Sequence, residues 1–190
     1  VWQSIAWGNY YWVAIPSGGT TAMRSPDGVN WSALVLPTQA TWTSIAYGMK
    51  TFVAISSGGG GTVIYSITNG LTWKTSALPA ASSWSSVVYG NGKFVAIASG
   101  TTNAAYSTDT GKTWTASTLP ASVTWVDMDY GSNLWVAISS GGNVLNISSS
   151  TSSGTQVTLN FATQPSIPYT PGQKITVCLL YTSDAADEGL

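Results

Sequence analysis

A repeat of 40 to 42 residues is the strongest constraint on how this chain can fold. Each copy starts at a tryptophan, reaches a glycine at the end of a first apolar run, and continues into a Val-Ala-Ile run. The tryptophans are Trp2, Trp42, Trp84 and Trp125, and the glycines are Gly8, Gly48, Gly90 and Gly131. A unit of this size cannot bury both of its faces alone, so each copy is expected to pack on its neighbours.

The third copy shows most clearly which elements a unit contains. Its runs WSSVVYG and FVAIAS are joined across Asn-Gly, a dipeptide that favours a tight hairpin. Two further short runs, AAYS and TWTAST, follow, and Leu-Pro ends the last one. The first two runs are nearly continuously apolar, as is typical of sheets that are covered on both faces. Four short strands in about 40 residues predict one blade of a β-propeller.

The copies predict an all-β chain, a propeller fragment of about three and a half four-stranded blades. The predicted blades are residues 1–40, 41–82, 83–123 and, as a partial blade, 124–147. Residues 148–155, SSSTSSGT, lack the features of the repeat and predict a linker. Residues 156–177 contain strand-like runs around several prolines, and resemble the start of a β-sandwich of the kind found in phage structural proteins. Since propellers close with ~4–8 blades, the chain is expected to be part of a ring.

Residues 178–190, CLLYTSDAADEGL, differ in composition from the rest. They contain the only Cys, the only Glu and two of the six Asp. The run 178–188 resembles translated read-through of a sequencing adapter, so we predict an artefactual tail and exclude it from fold reasoning. Without this tail, six Lys and Arg stand against four Asp, which gives a net charge of +2. Cysteine usage then says nothing about the redox compartment.

A turn motif precedes the last strand in each of the first three copies. Its complete form, Ser-x-Asp-x-Gly-x-x-Trp, consists of Ser107, Asp109, Gly111 and Trp114. The first copy is one residue shorter, with Ser25, Asp27, Gly28 and Trp31, and the second has Thr for Asp, with Ser66, Thr68, Gly70 and Trp73. Ser and Asp side chains hydrogen-bond turn amides, Gly adopts conformations that other residues resist, and Trp supplies apolar surface. We therefore predict a structural role for these residues.

The motif resembles the Asp-box of bacterial neuraminidase-type repeats. This resemblance implies a sialidase-like propeller whose Asp-box turns lie at the blade periphery, away from the ligand face. A sialidase of that family needs three Arg, a Tyr–Glu pair and an Asp acid/base. The chain has one Arg, Arg24, and its one Glu lies in the excluded tail. Sialidase chemistry is therefore not expected from these residues.

Asp127 and Asp129 are the only closely spaced carboxylate pair outside the tail. Paired Asp residues serve other Asp-box propellers, such as xyloglucan-cleaving glycosidases, and two strand residues two apart point to the same face. The pair is a candidate for ligand contact, with a solvated pair as the alternative. The chain has no His, so His-based triads are excluded, and zinc has no plausible ligands. We predict no catalytic residue, no metal site and no cofactor.

Four aromatic residues occupy equivalent places near the end of the first strand of each copy: Trp7, Tyr47, Tyr89 and Tyr130. They can stack on sugar rings or pack between blades, and both interpretations stay open. Loops on a rigid scaffold usually hold function, so strand-end loops are the expected site of ligand binding. These loops are residues 17–21, 57–62, 99–103 and 139–143.

The composition limits the classes of partner. Only 7% of residues are charged and no basic cluster occurs, which disfavours nucleic acid. No apolar run approaches the ~20 residues of a membrane helix. The repeats resemble those common in phage-like proteins, which suggests a non-enzymatic tail or fibre module, on a virion or outside the cell, that contacts a surface glycan or other virion proteins. The alternatives are a fragment of a secreted Asp-box glycosidase with catalytic residues on missing blades, and a scaffold like photosystem II assembly-factor propellers, which the scarcity of Arg disfavours.

Overall fold

The computed structural model of the chain describes residues 1–58, 60–140, 144–149 and 159–163. Within these ranges the chain is all β, with sixteen strands and no helix. The strands form four antiparallel sheets of four strands each, and in every sheet the strands follow one another in chain order. The all-β propeller class predicted from the repeat is confirmed.

The first three sheets have equivalent strands at equivalent places in the repeat. The first comprises β1 (Trp2–Gly8), β2 (Tyr11–Pro16), β3 (Thr21–Ser25) and β4 (Ser32–Val35). The second comprises β5 (Trp42–Gly48), β6 (Thr51–Ser56), β7 (Thr62–Ser66) and β8 (Lys74–Ala77). The third comprises β9 (Ser83–Gly90), β10 (Lys93–Ser99), β11 (Thr101–Ser107) and β12 (Thr115–Val123). In each, the turn motif joins the third strand to the fourth, as predicted.

The fourth sheet is larger than the predicted partial blade. It comprises β13 (Trp125–Gly131), β14 (Leu134–Ser139), β15 (Val144–Ser149) and β16 (Leu159–Thr163). Ser148 and Ser149, predicted to begin the linker, end β15. The strand β16, predicted as part of a second β domain, pairs antiparallel with β15 and completes the fourth blade. The remaining predicted linker, second-domain and tail residues, 150–158 and 164–190, lie outside the described residues.

The hairpin between the first two strands has the same geometry in all four blades. Each connection has two residues, and both have positive φ, as a two-residue hairpin turn of the favoured type requires. The four pairs are Asn9 and Tyr10, Met49 and Lys50, Asn91 and Gly92, and Ser132 and Asn133. The hairpin predicted from Asn-Gly in the third copy is therefore confirmed.

The apolar core lies between successive blades. We call the face of each blade that contacts the blade before it the preceding face, and the opposite face the following face. Three clusters fill the three interfaces, each built from the following face of one blade and the preceding face of the next. The tryptophans that start the second, third and fourth copies, Trp42, Trp84 and Trp125, are at most 1% exposed within these clusters. Their indole N–H groups donate to backbone oxygens of Gly19, Ala80 and Ala121 at 3.3, 3.0 and 3.1 Å.

Polar contacts between the innermost strands accompany these apolar interfaces. The amide of Ile45 donates to Ser4 Oγ at 3.2 Å, and the amide of Val87 donates to Ser44 Oγ at 3.1 Å. Each serine lies on the following face of one blade, and each amide belongs to the next blade. These bonds hold adjacent first strands at a constant offset, so the blades stack in one register.

Candidate functional site

The three turn motifs share one set of hydrogen bonds. The hydroxyl of the motif serine accepts from the amide of the motif glycine, at 2.8, 3.0 and 2.9 Å in the three blades. The indole N–H of the motif tryptophan donates to the carbonyl of the same glycine, at 3.0, 2.8 and 3.1 Å. The glycines, Gly28, Gly70 and Gly111, all have positive φ. The shorter first motif therefore keeps the geometry of the other two.

The motif carboxylates are bound to their own turns. Asp27 accepts from the amides of Val29 and Asn30 at 2.9 and 2.8 Å. Asp109 accepts from the Thr113 amide and hydroxyl at 2.9 and 2.7 Å. Backbone and side-chain hydrogen bonds from Asn30 hold the pKa of Asp27 well below its usual range. For Asp109, burial acts to raise the pKa, but the hydrogen bonds from Thr113 and Ser107 outweigh it and leave the pKa lowered.

Trp114→Ala is expected to destabilise the chain more than Asp109→Ala. The Trp114 ring packs against the cluster between the second and third blades but remains half-buried. We expect a loss of ~2–3 kcal/mol, below the ~3–5 kcal/mol of a fully buried tryptophan. Removal of the Asp109 carboxylate is expected to cost ~1 kcal/mol, like other capping side chains. Urea melts of the two variants measure which substitution lowers the stability more. Equal losses of stability would contradict this prediction.

The contribution of Asp109 to the free energy of unfolding should also depend on pH. Its pKa in the folded state lies below the ordinary value of 3.8, so its stabilisation is complete above that value and is lost as the pH falls through the folded pKa. We therefore expect the stability difference between wild type and Asp109→Ala to be constant above pH ~5 and to shrink below pH ~4. A difference that grows on acidification would mean that the carboxylate is not stabilised by its turn.

Three of the four candidate aromatics pack between blades. The rings of Tyr47, Tyr89 and Tyr130 lie against the glycine that ends the first strand of the preceding blade: a Cβ added at Gly8, Gly48 or Gly90 would lie 2.0, 2.0 or 2.2 Å from the ring. Each tyrosine also contacts an aromatic ring of its own blade, with centroids 4.6 to 5.1 Å apart. Trp7 packs on no other blade among the described residues and is 47% exposed. The geometry thus favours the packing interpretation for the tyrosines.

Asp127 and Asp129 lie on the first strand of the fourth blade, and the Asp127 carboxylate contacts the third blade. Asp127 accepts from Ser86 Oγ at 2.9 Å and from the Met128 amide at 2.8 Å. Asp129 accepts from the Tyr130 amide at 2.8 Å. The equivalent residues of the other blades contact the next blade, so the two carboxylates occupy interface positions. No group of three or more His, Cys, Asp or Glu side chains forms a possible metal site among the residues with described side chains.

A polar cleft lies between the loops of the first and second blades. It has a volume of about 520 Å³, and we call it the loop cleft. It is lined by Gly18, Gly19, Gln39, Ala40, Thr41, Ser56, Gly58 and Thr62. Gly18 and Gly19 of the predicted loop 17–21 meet Gly58 and Thr62 of the predicted loop 57–62 here, beside the connection between the blades. None of these lining residues is charged, and they offer hydroxyl, amide and backbone groups.

Ser56 is the distinctive residue of the loop cleft. Its side chain is fully buried, and its Oγ has no hydrogen-bond partner. The equivalent residues are Pro16, Ala98 and Ser139 in the first, third and fourth blades, so two of the four blades have no hydroxyl at this position. Buried hydroxyls without a partner are costly and rare in folded proteins. Ser56 thus leaves an unsatisfied hydroxyl in the wall of the loop cleft.

Sequence reasoning missed Ser56, Gln39 and Thr41 as possible ligand contacts. The one available signal was that a single repeat position has Pro16, Ser56, Ala98 and Ser139 in the four copies. That signal identifies a variable position but not a buried hydroxyl.

The part of the chain that the structure describes contains no helix that could span a membrane.

Solved structures share this fold at low sequence identity. A catalytically inactive virginiamycin B lyase from Staphylococcus aureus, solved with quinupristin, superposes with a TM-score of 0.70 and 13% identity, over 87% of this chain and 56% of the lyase. YCF48 from Cyanidioschyzon merolae gives a TM-score of 0.59 and 16% identity, over 84% of this chain and 57% of YCF48. The computationally designed Ika4 protein gives 0.58 and 12%, over 77% of this chain and 89% of the design. The chain thus spans just over half the length of the two natural propellers.

The family of the chain follows from its sequence. No curated protein sequence matches it. A family model described as the DUF6242 beta propeller domain matches residues 36–188. That match covers most of the chain and agrees with the four-bladed arrangement of its sheets. The chain therefore belongs to the DUF6242 β-propeller domain family.

Proposed function

We propose that this chain is a non-enzymatic recognition module that binds a neutral polar ligand, such as a surface glycan, in the loop cleft. The unpartnered hydroxyl of Ser56 is the observation that carries the proposal. A bound sugar hydroxyl would satisfy Ser56 Oγ and recover the free energy that its burial costs. Hydroxyl and amide groups without formal charge suit a neutral ligand, and the loop cleft offers both kinds.

A phage virion, on a tail or fibre, is the proposed place of this module. The support is the resemblance of the three turn motifs to Asp-boxes and of the repeats to those of phage-like proteins. The motif side chains are bound to their own turns, so they serve the blades and leave recognition to the loops. In the alternative, a glycosidase fragment, Asp127 and Asp129 would supply the carboxylates. Neither residue lines the loop cleft, and both accept hydrogen bonds within the blades.

Ser56→Ala is expected to weaken glycan binding by ~3–10-fold, the value of one hydrogen bond, without loss of stability. The experiment is a glycan-array screen followed by calorimetric titration of the best glycan, with thermal melts of each variant. Stability should be unchanged or slightly higher, because alanine already stands at the equivalent position as Ala98. The matched control is Ser122→Ala, which removes a hydroxyl bonded to the Gly100 carbonyl in the corresponding loops of the third blade.

Two results would contradict the proposal. If no glycan binds, or if Ser56→Ala and Ser122→Ala bind equally well, the loop cleft is not the site. A parallel assay follows release of reducing sugar from each glycan that binds. Turnover that Asp127→Asn or Asp129→Asn abolishes would establish the glycosidase alternative in its place.

A further inference from the structure

The two ends of each blade differ in chemistry. We call the end that carries the two-residue hairpins and the turn motifs the hairpin end. The opposite end, the loop end, carries the predicted loops and the connections between blades. Because the antiparallel strands of each sheet follow chain order, the first and third turns of a blade lie at one end and the second lies at the other. The loop cleft belongs to the loop end, and its lining residues carry no charge.

The cationic side chains of the described chain are all at the hairpin end. Each lies in a hairpin or turn motif of the first three blades, or directly beside one: Arg24, Lys50, Lys74, Lys93 and Lys112. Lys50, Lys74 and Lys112 are exposed. The carboxylates that the structure places in these turns are Asp27 and Asp109, and each accepts hydrogen bonds from its own turn. The hairpin end of the first three blades is therefore net cationic, although its basic residues are far apart in the sequence.

Large apolar side chains are exposed in the turns of the same end. The exposed large apolar residues that lie in turns between strands all belong to the hairpin end: Tyr10, Val29, Met49, Ile67 and Leu71. Their exposed fractions range from 40% to 79%. The turns of the loop end, where the structure describes them, instead expose small and polar residues such as glycine, threonine and glutamine. Apolar and cationic side chains thus share one end of the blades.

Tyr10 is a costly residue for the first hairpin. It is 78% exposed, and its φ of 67° lies in the left-handed region that bulky side chains rarely adopt. The equivalent residues are Lys50, Gly92 and Asn133. Glycine and asparagine suit this conformation, and tyrosine does not. An exposed aromatic ring at such a position indicates a contact outside the described chain.

A hydrogen bond between blades brings the apolar turns together. Asn9 Nδ2 donates to Asn69 Oδ1 at 2.6 Å, which links the first hairpin to the turn motif of the second blade. Tyr10 follows Asn9, and Ile67 and Leu71 flank Asn69. The exposed apolar side chains of the two blades therefore lie on neighbouring turns.

A second link extends this surface to the third blade. Ser76 Oγ donates to the Lys112 carbonyl at 2.8 Å. Ser76 and Lys74 are two apart on β8, so their side chains point to the same face, toward the third blade. Lys74 and Lys112 thus come from different blades but border the same contact. The hairpin end presents apolar side chains of the first two blades beside lysines of the second and third.

We propose that the hairpin end of the first three blades binds the surface of an anionic lipid membrane. The apolar side chains of the turns enter the boundary between head groups and acyl chains, and Lys50, Lys74 and Lys112 contact the anionic head groups. Apolar side chains at the tips of separate turns suit a fluid interface, which closes around each of them. Nucleic acid is disfavoured because its bases bind by stacking, and Tyr10 is the one aromatic residue of the set. The surface lies opposite the loop cleft, so this proposal does not depend on the ligand bound there.

The test is co-sedimentation of the full chain with phosphatidylcholine vesicles that contain or lack phosphatidylglycerol. The chain is expected to bind the anionic vesicles at least ~10-fold more tightly, and added salt should weaken this binding. Combined Lys50→Ala, Lys74→Ala and Lys112→Ala should weaken it at least ~10-fold. The matched control replaces the same three residues by Arg, which keeps the charge and should preserve binding. All three side chains are exposed, so both variants should keep the wild-type circular dichroism spectrum.

The apolar contact is tested at constant charge. Combined Ile67→Ser and Leu71→Ser should weaken binding to the anionic vesicles at least ~5-fold, because binding scales with the apolar area that enters the membrane. Val35→Ser, at a residue 82% exposed at the loop end of β4, is the control and should bind normally. An environment-sensitive dye on Leu71→Cys, in a chain with Cys178→Ser, should shift to shorter emission wavelength on the anionic vesicles. The same dye on Val35→Cys should not shift.

Three results would overturn the proposal. The first is equal binding to vesicles with and without phosphatidylglycerol, or binding to neither. The second is vesicle binding that the lysine or the apolar substitutions leave unchanged. The third is a dye on Leu71→Cys whose emission does not shift. A chain that binds a polyglutamate peptide or an oligonucleotide through the same lysines, but no vesicle, would make the hairpin end a site for an acidic macromolecule instead.

Discussion

Gly48→Ala is expected to destabilise this chain by ~3 kcal/mol, near the upper end for overpacked cores, whereas Gly131→Ala should change its stability by less than ~0.5 kcal/mol. The two glycines occupy the same repeat position, and neither has a positive φ, so backbone strain does not separate them. A Cβ at Gly48 would lie 2.0 Å from Cγ of Tyr89, far inside van der Waals contact. At Gly131 the same atom would meet nothing within 4 Å.

The Tyr89 ring cannot easily move away from a side chain at Gly48. The ring also contacts Phe94, with ring centroids 5.1 Å apart, and Phe94 is itself fully buried in the cluster between the second and third blades. Urea denaturation measures the stability of both variants. Similar midpoints for Gly48→Ala and Gly131→Ala would show that contact between glycine and aromatic ring does not hold the blades at their spacing.

Trp84→Ala is expected to cost ~3–5 kcal/mol, the range for truncation of a fully buried tryptophan. Its side chain is 0% exposed, and its indole N–H donates to the Ala80 carbonyl at 3.0 Å. The substitution therefore leaves a cavity between the second and third blades and a carbonyl without this donor. The matched control is Trp2→Ala, the equivalent residue of the first blade, which is 56% exposed.

Trp2→Ala should change the stability of the chain by less than ~1 kcal/mol, because it removes little buried surface. Thermal and urea melts at matched low concentration compare the two variants. If Trp2→Ala and Trp84→Ala lose equal stability, Trp2 is not more exposed than Trp84 in solution.

The repeat predicted most of this fold because each of its markers has a physical role. Gly48 ends a strand where a ring packs, Trp84 fills the space between two blades, and Ser107 organises the turn before a last strand. These roles recur at constant spacing, so strand order and turn position could be predicted from sequence alone. The last strand of the fourth blade could not, because residues 148–163 contain neither the turn motif nor its tryptophan.

The candidate site was less predictable because it depends on contacts between copies of the repeat. The sequence left open whether Tyr47 packs or binds, since a tyrosine suits both roles, and only the position of Gly8 beneath its ring distinguishes them. The loop cleft is formed by two loops and a connection from adjacent blades. In the sequence, Ser56 does not differ from other serines in strands. Only the structure shows that its Oγ is buried without a hydrogen-bond partner.

The constant offset between first strands has an evolutionary consequence. The interface of the first blade with the second and that of the second with the third each use a serine and a glycine on one side and an amide and an aromatic ring on the other. Duplication of one whole unit in the gene would therefore add a blade together with both halves of the interface that it needs. A partial duplication would place unlike surfaces against each other. Selection on stability alone would then keep the length of such genes in steps of about 41 residues, the spacing already present between Trp84 and Trp125.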